Sequence, residues 1–279
     1  YKTFKVAVTP DGVCVGTMCS KDEVGINLLT GRLFREFTDC IEHVSKDEAI
    51  RVFVVRSSDE DFWLAHFDIK AILKLPVPGR FDREAVFNAW HTAAEMLRSM
   101  PKATIAEVAG RSGGGGNEFC MNFDMRFGVR GKTKFCQMEV PLGITPGGTG
   151  CITLPRLVGT GRAMEMILGG MEIDAETAES WGLLNRSFTD LASCRAYVDG
   201  LAARIASFPP EAVKVAKASI LAVDRMPRRE ACLENLSLFN QTLGLPEAKR
   251  RLEAFMKHGG QTRDAEIDLQ GTLAKLSKL

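Results

Sequence analysis

Between Ala109 and Phe119 the chain reads Gly110-Arg111-Ser112-Gly113-Gly114-Gly115-Gly116-Asn117-Glu118, a glycine run between an apolar extended stretch and the start of a helix. Such a run lets backbone N–H groups approach a ligand because no Cβ intervenes, and a helix start adds N–H groups that no preceding carbonyl accepts. The run therefore has the makings of an oxyanion site, with Glu118 facing whatever the donors polarise. A flexible linker is the plainer alternative. The flanks argue against it: Thr104 to Val108 reads as a buried strand, and Glu118 to Phe123 as the first turns of a buried helix. A phosphate loop is excluded, since no Gly-Lys-Ser/Thr closes the run and no G-x-G-x-x-G with a ribose-binding acid fits the spacing.

The same letters contain Gly110-Arg111-Ser112-Gly113-Gly114, which satisfies the G-x-S-x-G pattern of a nucleophile elbow. A serine hydrolase using Ser112 needs an acid and then a histidine downstream, and His258 is the only histidine after Ser112. His258 stands in Lys257-His258-Gly259-Gly260, where a helix C-terminus is the simpler account.

A chain of 279 residues with 45% hydrophobic and 25% charged residues is long enough for one large core plus an appended element. The formal net charge of +1 gives no electrostatic case for a nucleic-acid partner, and no Lys/Arg run is long enough for a polybasic membrane patch. Lys249-Arg250-Arg251, the densest basic cluster, reads as a solvated helix face. The eight cysteines form no CxxC pair and have mostly apolar neighbours, so they read as reduced core thiols rather than metal ligands. No apolar segment has the length that spans a bilayer and no signal-peptide pattern opens the chain, so a cytoplasmic location without membrane association is expected. A start at Tyr1 rather than methionine leaves room for a removed organelle-targeting segment.

Lys2 to Thr9 and Val13 to Ser20 read as two extended runs joined by Pro10-Asp11-Gly12, a hairpin signature. Leu29 to Val44 has helical periodicity, Ile50 to Val55 and Phe62 to Phe67 are short apolar runs, and Arg83 to Met100 reads as an amphipathic helix. This alternation continues to about Phe188 and predicts an α/β layer structure with parallel crossovers. Asp190 to Ser207, Pro210 to Val223, Arg228 to Leu243 and Pro246 to His258 are then helical, with proline breaks. The expected division is an α/β core over 1–199 and a helical region over 200–279, the latter packing against the core or a second subunit.

Taken together, four segments resemble the crotonase superfamily, the enoyl-CoA hydratase/isomerase fold. They are Phe62 to Lys70, similar to the family's F-x-x-G-x-D-[IL]; the glycine run through Glu118 and on to Phe127; Phe135 to Gly159, which contains Gln137-Met138-Glu139 and Pro146-Gly147-Gly148-Thr149-Gly150; and Ala163 to Asn185. Order and spacing agree with the family from about residue 5 to 190. The resemblance implies a spiral of repeated ββα units with a C-terminal all-helical oligomerisation region, assembled as a trimer or as a hexamer built from two trimers. It implies an acyl-CoA thioester as substrate, with coenzyme A entering only as part of that substrate, and neither a separate cofactor nor a metal.

By residue-by-residue matching the thioester oxygen is expected between the N–H groups of Phe67 and Gly115, with Ala65, His66, Asp68, Ile69 and Gly114 lining the substrate. Glu118 and Glu139 match the two glutamates that flank the Cα–Cβ bond in a hydratase. Syn addition of water needs one carboxylate to deprotonate the water and another to protonate Cα, so the pair has a chemical reason. Hydration of a 2-enoyl-CoA is the expected reaction, with Δ3,Δ2 isomerisation on one glutamate, Ser112 hydrolysis, or acyl-CoA binding without turnover as alternatives. Within the resemblance, His66 replaces a usual glycine, Met138 replaces a usual proline, and one residue is inserted in Gly128-Val129-Arg130-Gly131-Lys132. The end, Gly259 to Asp264, lacks the family's basic K-R-x-P. Ile72, Leu75, Val77, Phe81, Phe87 and Trp90 are candidates for an apolar acyl wall, with plain core packing as the alternative for Phe87 and Trp90.

Overall fold

The structure is a computed structural model that describes residues 1–74, 87–222, 228–259, 261, 271, 273 and 275–278. The expected hairpin opens it: β1 (Phe4–Val8) pairs antiparallel with β2 (Val13–Met18), and Gly12 takes the φ of +86° that the turn requires. A short helix α1 (Lys21–Val24) precedes α2 (Gly31–Lys46), whose start is capped by the Thr30 side chain on the Leu33 N–H. Leu33, Phe37, Cys40, Ile41 and Val44 form the buried stripe of α2, the spacing of a helix with one face in a core. Phe37 on this stripe stands 4.9 Å from both the Phe4 and the Phe119 ring centroids, tying the hairpin to the glycine-run helix.

From here the chain repeats one unit. β3 (Val52–Ser57) lies in a large sheet and β4 (Phe62–Leu64) in a small one, with α3 (Ile69–Ile72) and α4 (Ala89–Ser99) following. β5 (Ala103–Val108) and β6 (Arg111–Gly113) repeat the step and lead into α5 (Gly115–Cys120). β7 (Met125–Val129) and β8 (Lys134–Cys136) repeat it again before α6 (Gly150–Val158) and α7 (Thr160–Gly169). β9 (Ile173–Asp174), α8 (Ala175–Trp181) and β10 (Arg186–Phe188) close the spiral. The large sheet runs β1-β2-β3-β5-β7-β10 and the small one β4-β6-β8-β9. Each turn thus contributes one strand to each sheet, and β2–β3, β5–β7, β7–β10, β4–β6 and β6–β8 are all parallel. The expected spiral of ββα units is the fold. β5 is buried at every residue, as a strand covered on both faces must be.

α9 (Leu191–Ala206), α10 (Pro210–Ala222), α11 (Arg228–Leu243) and α12 (Pro246–Lys257) are the helices of the C-terminal region. Compactness divides the chain into one unit of Tyr1–Met100 with Thr104–Ala202 and another of Pro101–Ala103 with Ala203–Leu279. Within the second unit, Lys217 donates to the Lys102 carbonyl at 3.0 Å and Arg251 to the Ser207 carbonyl at 3.1 Å. Among the described residues no helix is long and apolar enough to cross a membrane.

Two boundaries differ from expectation. The helix expected from Arg83 begins at Ala89, because Asn88 is extended and caps it through the His91 N–H; residues 83–86 lie outside the described residues. The helix expected from Glu118 begins at Gly115, three residues earlier, so two of the glycines are themselves helical. Cysteines 14, 19, 40, 120 and 194 are buried free thiols as expected, but Cys151 is exposed. Arg126, fully buried in β7, donates to the Leu183 and Phe123 carbonyls at 2.7 and 2.6 Å, which anchors the segment leading into β10.

Candidate active site

The glycine run crosses from the small sheet into α5. Gly114 makes the corner with φ +45°, and its N–H donates to the Cys136 carbonyl at 3.0 Å. Beside this corner runs the segment after β4. Leu29 donates to the His66 carbonyl at 3.0 Å, and Asp68 donates to the Leu29 carbonyl at 3.2 Å. Strand alternation therefore turns the N–H of Phe67, which lies between them, to the opposite side. Gly115 is the first residue of α5, where an N–H has no intrahelical acceptor. A Cβ placed on Gly115 would lie 3.0 Å from the Phe67 Cβ and 3.5 Å from its N, so the two backbones converge.

Glu118 sits one turn into α5 and is 3% exposed. Its Oε1 accepts from the Gly148 N–H at 2.9 Å and the Gly150 N–H at 2.8 Å, both in the loop that starts α6. Burial pushes the Glu118 carboxyl up, and the N–H groups of Gly150, Gly148 and Thr149 oppose that rise. Glu139 is 7% exposed and stands before the 3-10 turn Val140–Leu142. Its Oε1 is 3.0 Å from the position of a Cβ on Gly114, and its Oε2 accepts from Gln137 at 3.4 Å. Asn117 donates to the Gln137 Oε1 at 2.8 Å, which turns the Gln137 amide nitrogen toward Glu139. Burial and then the Glu118 charge push the Glu139 carboxyl up to about 7.

The two glutamates thus have unlike surroundings. Burial raises both carboxyls; at Glu118 the Gly150, Gly148 and Thr149 N–H groups oppose it, whereas at Glu139 the Glu118 charge adds to burial against its own N–H and that of Met138 and carries it to about 7. Because the folded pKa of Glu139 lies above its ordinary 4.5, the unfolded chain releases this proton first as pH rises. Its favourable contribution is complete below about 4.5 and is lost as pH rises to about 7. Glu139→Gln is therefore expected to flatten the decline of thermal stability across that window, measured as melting temperature against pH.

The remaining expected site residues fall around this centre. Ala65 is buried, and its carbonyl closes on Gly113 at 2.6 Å from a Cβ position there. His66 is half-buried with Nδ1 2.8 Å from the Phe67 carbonyl oxygen. The Asp68 carboxylate caps α3 through the Lys70 N–H at 2.9 Å, and Ile69 is the first residue of that helix. Met138 packs over the corner, its Cγ 3.2 Å from a Cβ position on Gly114. Gly128 to Lys132, where an insertion is expected, covers the end of β7 and the turn before β8, in which Gly131 has φ +72°.

Of the apolar candidates, Ile72 is half-buried, Phe87 is 66% exposed and therefore not core, and Leu75, Val77 and Phe81 lie outside the described residues. Trp90 instead reaches the centre, 5.7 Å from the Phe67 ring and 5.6 Å from the Phe119 ring. Ser112 does not form a nucleophile elbow. It lies within β6 rather than at a strained turn, is fully buried, and its Oγ has no hydrogen-bond partner. His258 is the C-cap of α12, its N–H bonded to the Ala254 carbonyl at 2.9 Å, as the helix-end account expects.

Gln137, Gly148 and Gly150, to which the motifs alone give no role, donate to the two carboxylates. The Pro-Gly-Gly-Thr-Gly stretch before α6 carried the signal for the latter two, since a Cβ on Gly148 would lie 2.7 Å from Glu118 Oε2.

The sequence pattern of the enoyl-CoA hydratase/isomerase family matches residues 9–261. The chain belongs to this family, within the crotonase superfamily. It is 27% identical over 257 residues to a probable mitochondrial enoyl-CoA hydratase of Dictyostelium discoideum, covering 92% of this chain and 90% of the relative. A probable enoyl-CoA hydratase of Bacillus subtilis is 28% identical over 232 residues, covering 83% and 88%. Among solved structures, an enoyl-CoA hydratase from Bacillus anthracis superimposes with a TM-score of 0.81 at 25% identity, covering 91% of this chain and 96% of that one. A putative enoyl-CoA hydratase from Streptomyces avermitilis is 31% identical with a TM-score of 0.71, covering 98% and 97%. Family membership accounts for the corner of glycines and the spiral that presents it.

Proposed function

We propose that this protein hydrates 2-enoyl-CoA thioesters, with Glu118 and Glu139 as the acid–base pair. The observation that carries the reading is the buried pair itself, one carboxylate accepting from the Gly148 and Gly150 N–H groups and the other pushed up to about 7. In this assignment the thioester oxygen is bound by the N–H groups of Phe67 and Gly115, which stabilise the enolate charge as it develops. Glu118 takes a proton from water as its oxygen bonds to C3. Glu139 delivers its proton to C2. Ala65, His66, Asp68, Ile69 and Gly114 lie along the acyl-CoA path, and no metal or separate cofactor is required by these steps.

The test is incubation of the purified protein with a 2-enoyl-CoA and a 3-enoyl-CoA, read by mass spectrometry. A product heavier by one water from the 2-enoyl ester supports the reading. Isomerisation of the 3-enoyl ester without water uptake would replace it with the one-glutamate reaction, and tight binding without turnover would replace it with a binding role. Hydration is expected to fall as pH rises past about 7, where Glu139 loses the proton it must donate.

The assembly belongs to the same proposal: a homotrimer or a hexamer. Leu142, Ile152, Met164, Leu168 and Met171 in the first unit are each more than half exposed, as are Leu233, Leu236 and Phe239 in α11. Closed cyclic assembly buries such surface without leaving an open end. Light scattering should give a trimer or hexamer mass for the full chain, and removal of everything after Ser207 should leave the protein insoluble or inactive. A monomer mass with full activity would overturn this.

A further inference from the structure

Trp90 lies where the proposed machinery converges. Its ring stacks on Phe34 at 5.7 Å with an interplanar angle of 5° and meets the rings of Phe67 and Phe119 edge-on, so the indole is held from three sides. Its Cη2 is 3.4 Å from a Cβ position on Gly115. On the other edge, Nε1 is 2.5 Å from a Cβ position on Gly148, and Glu118 Oε2 is 2.7 Å from that same point.

The indole N–H is buried yet has no hydrogen-bond acceptor. Leaving such a donor unpaired is unfavourable, and an acceptor supplied by a ligand would relieve it. Glu118 stands next to it: the Gly148 and Gly150 N–H groups both donate to Oε1, and Oε2 is the carboxylate oxygen nearer the indole edge. A donor without an acceptor thus stands beside a catalytic carboxylate oxygen, the two lying within 2.7 Å of one point and so close enough for a single oxygen to bridge them. Only a group that both accepts and donates satisfies the two at once, and water and an alcohol hydroxyl are such groups.

We propose that the Trp90 indole N–H holds the oxygen that adds to C3 of the enoyl thioester, while Glu118 Oε2 accepts that oxygen's proton. This rests on the hydratase reading and adds to it a residue for the water half of the reaction. In hydration the water oxygen, accepting from Trp90, bonds to C3 as its proton passes to Glu118. The C2–C3 π electrons move into the thioester enolate, and C2 takes the Glu139 proton. In dehydration the same N–H binds the departing 3-hydroxyl. Exchange of a C2 proton involves no oxygen at C3 and leaves Trp90 without a role.

The test compares the full-length wild type with Trp90→Phe, which keeps a ring and removes the N–H. Hydration of a 2-enoyl-CoA and dehydration of the 3-hydroxyacyl-CoA should fall about 10–100-fold, the cost of one directed hydrogen bond. C2-proton exchange of a saturated acyl-CoA in D2O, followed by NMR, should stay within about twofold, which also reports a folded site. Unchanged hydration in Trp90→Phe overturns the inference, and so does an equal loss of hydration and exchange, which marks packing alone. A wild type that does not hydrate overturns the underlying reading as well and is distinguished by that.

A measurement on wild type is independent of the variant's folding. One of the three tryptophan indole N–H resonances should move downfield on adding a 3-hydroxyacyl-CoA but not on adding a saturated acyl-CoA. The same response to both esters would refute the contact.

Discussion

Glu118→Gln and Glu139→Gln are each expected to slow hydration of a 2-enoyl-CoA by about two to four orders of magnitude, the range for removal of a positioned general acid or base. Glutamine keeps the shape and the capacity to accept from Gly148, Gly150 or Gln137, so the loss isolates proton transfer from packing. The two variants should then diverge. With Glu139 replaced, C2-proton exchange is lost along with hydration, because the C2 proton has no carrier. With Glu118 replaced, exchange persists while hydration fails. Glu118→Gln should also remove the repulsion that helps raise Glu139, so in that variant the remaining carboxyl titrates below about 7 and the alkaline limb of any residual activity shifts down. Wild-type turnover in both variants would remove the pair from the mechanism.

Much of this architecture was legible in the sequence because it is written in local chemistry. Pro10-Asp11-Gly12 specified the hairpin, the Leu29 to Val44 periodicity specified α2, and Thr104 to Val108 announced the buried strand β5. The start of α4 was not legible, because Arg83 to Asn88 continues the amphipathic pattern and only the Asn88 cap ends it. Periodicity reports which face is apolar and is silent about where a cap interrupts it. Within the site, Glu118 and Glu139 stood out as carboxylates at matched positions. Trp90 was legible only as a candidate for the acyl wall or for plain core, since an aromatic residue on an amphipathic helix has the same spacing in either place and its N–H leaves no mark on the pattern. The G-x-S-x-G match failed for the converse reason. A pattern of letters does not specify backbone conformation, and Ser112 lies in an extended strand with the positive φ displaced to Gly114.

Gly116→Ala is expected to cost about 3 kcal/mol of stability and to lower the melting temperature by roughly 6–12 °C, at the upper end of what overpacking costs in a unit of this size. Gly116 is buried in the first turn of α5. A Cβ there overlaps the Leu64 carbonyl oxygen and lies 2.8 Å from the Leu64 Cβ. Neither neighbour can rotate away cheaply, because Leu64 belongs to β4, which is paired with β6. The strain is therefore relieved by separating α5 from the strand and the segment that follows it. That segment carries Phe67 and the helix carries Gly115, so the same movement opens the spacing of the two proposed thioester-binding N–H groups. A displacement approaching 1 Å is enough to cost about 100-fold in rate, and hydration should fall with stability.

Gly161→Ala supplies the contrast. Gly161 is an exposed residue of α7, with no positive φ and nothing within 4 Å of its Cβ position. Alanine there should raise stability by about 0.5–1 kcal/mol and leave turnover unchanged, because it reduces only the freedom of the unfolded chain. Thermal melts and hydration rates on the two variants separate glycine used for close approach from glycine merely present in a helix. A Gly116→Ala protein as stable and active as wild type would show that α5 and β4 do not pack as tightly as this geometry requires.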